Sequence, residues 1–117
     1  MHAHAGEMAA LHSHLCKAIA DPKRLMMLDT MRDGPVSVTE IADRLGLSQP
    51  NTSQHLAILR ERNVVQTSRS GTTVYYALTS PKVLAAVDLL REFMSEFMTV
   101  PPGRSDDAPA GSAAAEG

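Results

Sequence analysis

The chain has 117 residues, enough for one domain around one core, and its 44% hydrophobic content includes no apolar run near the roughly 20 residues a membrane-spanning helix needs. A formal net charge of −2 argues against a non-specific electrostatic coat for nucleic acid but leaves room for a specific reader with a local basic surface. The imbalance sits at one end: residues 1–98 hold ten Lys/Arg against ten Asp/Glu, and residues 99–117 hold Arg104 against Asp106, Asp107 and Glu116. The single cysteine, Cys16, excludes a disulfide within the chain and a four-cysteine zinc site; MHAHAGEMAALHSHL lacks the basic-then-apolar layout of a signal peptide, so a soluble, cytoplasmic protein is expected.

Residues 1–6 are expected to fray, and residues 7–98 to form the folded unit. Residues 99–117, rich in Pro, Gly, Ala and Ser, have no hydrophobic pattern and are expected to form a disordered tail. Met8, Leu11, Leu15 and Ile19 recur at helical spacing and predict a first helix ending near Ala20. Asp21-Pro22 restarts a helix, with an acceptor at the cap and proline in the first turn; Leu25, Leu28 and Met31 share its apolar face, and Asp33-Gly34-Pro35 stops it. A short third helix turns Ile41, Ala42 and Leu45 inward and ends at Gly46. Ser48 caps a fourth, which runs to about Asn63 with Leu56 and Leu59 as anchors.

The period then changes. Val64–Ser68 and Thr73–Leu78 are rich in β-branched and aromatic residues, and the turn chemistry of Arg69-Ser70-Gly71-Thr72 between them predicts a β-hairpin. Tyr75 and Tyr76 are consecutive strand positions and face opposite sides. Pro81 opens a last helix in which Val83, Val87, Leu90, Met94 and Phe97 step by four and three, with Ala86, Leu89 and Phe93 widening the stripe. One small domain cannot cover so wide a face, and the excess reads as a dimer seam. The fold class expected is therefore mainly α with a β-hairpin wing, a winged helix-turn-helix of order α-α-α-α-β-β-α.

The fourth helix is where function concentrates. Seven polar side chains, Ser48, Gln49, Asn51, Thr52, Ser53, Gln54 and His55, open it, and its apolar anchors come only afterwards. A helix that merely filled a core would not begin this way. Gln and Asn can bond adenine bidentately, Ser and Thr suit base edges or phosphates, and the free N–H groups of a helix start favour an anion. Arg60, Arg62 and Arg69 against Glu61 leave residues 48–78 locally at +2, which suits phosphate contacts; Arg60 and Arg62 are equally placed for surface ion pairs, and His55 for buttressing the helix. The partner implied is double-stranded DNA. No Ser/His/Asp set or phosphate loop points to an enzyme. A rival reading is a winged-helix protein–protein module without DNA binding, although such a docking face would be more aromatic or apolar.

The run DPKRLMMLDTMRDGPVSVTEIADRLGLSQPNTSQHLAILRERNVVQTSRSGTTVYYAL resembles the arsenic-repressor (ArsR/SmtB-type) family of winged-helix regulators, and the resemblance extends over roughly Leu11 to Phe97. DPKRL, SQPNTSQHLAILR and SGTTVYYAL carry it. The resemblance implies a homodimer built on the first and last helices, with Met8, Leu11, Leu15, Val83, Val87, Leu90, Met94 and Phe97 at the interface. It also implies recognition helices in successive major grooves of an inverted-repeat operator, wings along the backbone, and repression relieved by an effector. The base-reading candidates become Ser48, Gln49, Asn51, Thr52, Ser53, Gln54 and His55, and the wing candidates Arg69, Ser70, Gly71 and Thr72.

The family's sensing sites are missing. The start of the third helix reads Ser37-Val38-Thr39-Glu40, with no thiol, and the last helix offers Asp88, Glu92 and Glu96 but no histidine. His12 and Cys16, four apart on a helix, remain as a candidate effector pair, with thiolate and imidazole suited to a transition metal. Two Cys16 thiols near a dimer axis could instead oxidise to an intersubunit disulfide, or one alone could sense oxidants; the structural alternative is Cys16 as a small buried hydrophobe, and no cofactor is certain.

Overall fold

The computed structural model describes residues 2–98, so the expected tail at residues 99–117 lies outside the described residues. Helix α1 is continuous but changes its winding: α-helical over His2–Ala10, π-wound over Leu11–Cys16, and α-helical again over Lys17–Ile19. The backbone stays right-handed helical at both junctions, and Lys17 N–H reaches the carbonyl of His12, five residues back. The helix begins at His2, earlier than the Glu7 indicated by periodicity. Its inward residue is Ala18, while Leu15 and Ile19 are half-buried and Met8 and Leu11 are exposed.

Asp21 caps helix α2 (Pro22–Thr30), its Oδ1 accepting the N–H groups of Lys23 at 2.8 Å and Arg24 at 3.3 Å. Met27, Leu28 and Met31 are buried; Leu25, expected inward, is only half-buried, so Met27 takes part of its role. Strand β1 (Val36–Ser37) follows, and the sequence reading did not anticipate it. Ser37 then caps helix α3 (Val38–Leu45), accepting the N–H of Glu40 at 3.2 Å. Gly46 ends that helix at φ 68°, a left-handed position where a side chain is strained.

Helix α4 (Gln49–Glu61) starts two residues later, with Ser48 Oγ accepting the Asn51 N–H at 3.1 Å and Pro50 in its first turn. Leu56 and Leu59 are completely buried. Strands β2 (Val65–Ser70) and β3 (Thr73–Leu78) form an antiparallel hairpin from Val65↔Leu78 to Ser70↔Thr73. β1 pairs on the other side, Val36↔Tyr76 and Ser37↔Tyr75, giving the sheet order β1-β3-β2. The hairpin is longer than expected. Arg69 and Ser70 belong to β2, leaving a two-residue turn of Gly71 and Thr72 with Gly71 at φ 65°.

Helices α2, α3 and α4 with the adjoining Val64 and Val65 supply most of the core, and each fully buried Leu or Met contributes about 1.5–3 kcal/mol. Helix α5 (Lys82–Phe97) completes the chain, its start marked by Ser80 Oγ accepting the Lys82 N–H at 3.1 Å. The internal contacts divide between Leu84 and Ala85. Leu84 is buried, whereas Leu89, Leu90, Phe93, Met94, Phe97 and Met98 are all exposed. No helix among the described residues is long and apolar enough to cross a membrane.

Candidate nucleic-acid interface

The leading edge of α4 owes its exposure to its anchors. With Leu56 and Leu59 buried, the turns before them project at the end of the helix, and the seven expected polar residues separate into distinct roles. Gln49, Ser53 and Gln54 are exposed. Ser48 is exposed too, its hydroxyl oxygen serving as the cap. Asn51 is half-buried, and its Oδ1 is buried with no hydrogen-bond partner among the described residues.

Thr52 requires a correction. It is wholly buried, and its hydroxyl donates to the Ser48 carbonyl at 2.9 Å, so it holds the first turn together and cannot reach DNA. His55 is half-buried, with its Nδ1 3.1 Å from Nη1 of Arg24 on α2.

Gln49 Nε2 donates to Thr39 Oγ1 at 3.1 Å. Thr39 is exposed in the first turn of α3, so the two helices of the motif are linked at their outer ends. The sequence reading missed this residue; the signal available was a hydroxyl in the first turn of a Ser-capped helix, the helix that precedes the turn to Ser48.

The arginines also sort themselves. Arg60 and Arg69 are exposed and have no hydrogen bond or ion pair among the described residues, which leaves both guanidinium groups available to phosphates. Arg62 is committed: its Nη1 lies 3.1 Å from Nδ1 of His14 in the π-wound part of α1. Arg44 pairs with Glu40 and donates to the Thr30 carbonyl. In β2, Arg69 shares a face with Val65 and Thr67 by strand alternation and sits opposite Val74, next to the Gly71–Thr72 tip.

At the base of this arrangement is Asp21. Burial pushes its carboxyl upward, but the N–H groups of Lys23 and Arg24, the charge His55 carries when protonated and the Arg24 guanidinium outweigh burial and hold it below the usual carboxylate range. The candidate effector pair gains no companion ligand: His12 is exposed, Cys16 is half-buried, and the described residues contain no group of three or more His, Cys, Asp or Glu placed to hold a metal. Both tyrosines are half-buried.

A family model described as "Bacterial regulatory protein, arsR family" matches residues 21–67, from the cap of α2 into β2. The transcriptional activator HlyU of Vibrio cholerae is 45% identical over 76 residues, spanning 65% of this chain and 70% of that protein. Its reduced form superposes with a TM-score of 0.68 at 39% identity, covering 77% of this chain and 95% of that one. The biofilm growth-associated repressor of Xylella fastidiosa strain Temecula1 is 37% identical over 78 residues, 67% of this chain and 68% of its own. A Mycobacterium bovis structure, described as a homodimeric winged helix-turn-helix DNA-binding domain, superposes with a TM-score of 0.71 at 26% identity, covering 80% and 87% of the two chains. With the fold, the capped polar helix and these relatives in agreement, the chain belongs to the arsR family of bacterial regulatory proteins.

Proposed function

We propose that the chain is a cytoplasmic, non-enzymatic transcriptional repressor that binds an inverted-repeat operator as a homodimer and leaves it when an effector binds. One observation carries the DNA reading. A helix anchored by two fully buried leucines presents Gln49, Ser53 and Gln54 outward, and the exposed Arg60 and Arg69 carry charges without partners among the described residues. Side chains of this kind at a helix start read base edges, and unpaired arginines take phosphates. The exposed apolar residues of α5, with Met8 and Leu11 of α1, support the dimer, since a lone chain leaves them in water.

The test is selection of duplexes from a randomised pool, followed by footprinting. An imperfect inverted repeat is expected, its half-sites about one helical turn, ~34–36 Å, apart. A single asymmetric site, or no selected duplex at low salt, overturns the proposal.

A further inference from the structure

The Arg24 guanidinium joins three parts of the chain. Its Nε donates to the Ala18 carbonyl, its Nη2 to the Lys17 carbonyl at 3.5 Å, and its Nη1 reaches Nδ1 of His55 at 3.1 Å. The first two acceptors are carbonyls at the end of α1, and the third sits on α4, one turn beyond Asn51. The arginine is itself placed by the cap, since its own N–H bonds Asp21 Oδ1. A single side chain therefore ties the DNA-facing helix to the corner between α1 and α2.

The chemistry of that tie is one-sided. A guanidinium has only donors, so His55 Nδ1 must offer a lone pair, which requires a neutral ring with its hydrogen on Nε2. A proton arriving at Nδ1 takes the same lone pair and sets two cations within hydrogen-bonding distance. We propose that Arg24 and His55 form a positioning clamp that holds α4 against the α1–α2 corner while the His55 ring is neutral and releases it when the ring is protonated.

The charged groups facing the ring are Arg24, which repels the proton, and Asp21, which attracts it. Lys17 contributes its carbonyl to the same arginine. Among the described residues, α3 and β2 contribute no hydrogen bond or ion pair to His55. The Arg62–His14 contact has the same donor–acceptor pattern but is exposed on both sides, where water competes; it serves as the comparison.

The clamp rests on the DNA-binding reading for its consequence but not for its existence, so two measurements on the full chain separate them. The first is NMR of the histidine rings and of amide exchange across residues 49–61. His55 should be the Nε2–H tautomer, and α4 exchange should quicken on acidification from about pH 8 to about pH 5.5 in the wild type but not in His55→Gln. The second is affinity, over the same span, for the tightest duplex the wild type selects from a randomised pool. Wild-type affinity should fall about tenfold on acidification, His14→Gln should follow the wild type, and His55→Gln should be flat whatever its absolute affinity.

Affinity that rises on acidification would make His55 a phosphate contact and overturn the clamp. An Nδ1–H tautomer, or identical pH profiles for wild type and His55→Gln, overturns it as well. If no duplex is selected, the DNA reading fails and the ring tautomer with amide exchange still decides the clamp.

Discussion

Helices α4 and α5 have opposite surfaces. In α4 the large apolar residues Leu56 and Leu59 are fully buried and the polar ones face outward; in α5 only Leu84 is buried, and Leu89, Leu90, Phe93 and Phe97 are more than half exposed. The first helix is finished by its own domain, and what it offers outward is hydrogen-bonding chemistry. The second offers apolar area, including the Phe93–Phe97 ring pair at 5.2 Å, that only another apolar surface can satisfy. Within one chain, therefore, two surfaces call for partners of different kinds: a polyanion with a readable groove and, in our reading, a second copy of the chain.

The largest test of that contrast replaces the α5 stripe. Leu90→Glu with Phe93→Glu should halve the solution mass and weaken duplex binding by more than about 100-fold, because two apolar anchors are lost and charges are placed in the seam. Sedimentation of a chain that remains dimeric would break the comparison. Next is Leu59→Ala, where a cavity in the core should cost about 2–5 kcal/mol in chemical unfolding; a cost near zero would mean that α4 is not anchored as described.

Gln49→Ala should lose about 1–3 kcal/mol of affinity and relax the preference at one base position, read by competition among duplex variants. Asp21→Ala should cost about 1 kcal/mol through loss of the α2 cap, whereas Asp21→Asn keeps a capping oxygen and removes only the charge. The sign follows from the lowered Asp21 carboxyl. Its contribution to stability is complete above the ordinary carboxylate range and is lost as pH falls through its folded-state value, so Asp21→Asn should flatten that acid limb in pH-dependent unfolding. Smallest is Arg69→Ala, which should lower the salt dependence of binding by about one phosphate contact while leaving sequence preference intact; an unchanged slope would remove the wing from the interface.

What the sequence made legible was whatever is encoded locally. Asp21-Pro22, Ser48 and Gly46 marked helix ends because a cap or a left-handed residue has its own chemistry, and the α5 stripe was visible as a repeat. What escaped depends on distant partners. Strand β1 is two residues long and exists through pairing with Tyr75 and Tyr76, far along the chain. Thr52 looked like a reader among readers until its position on the inward side of α4 was known. The part played by Arg24 depends on a histidine 31 residues later, and no local pattern announces it.

The tight Gly71–Thr72 tip has a consequence for how the wing can vary among descendants of this sequence. Because alternate residues of β2 point to opposite sides, one residue inserted between Thr67 and Arg69 would turn the guanidinium to the other side of the ribbon, while two would carry it outward with its aim preserved. Functional lengthening of this hairpin should therefore proceed in steps of two, with odd-length forms surviving only where a bulge takes up the extra residue.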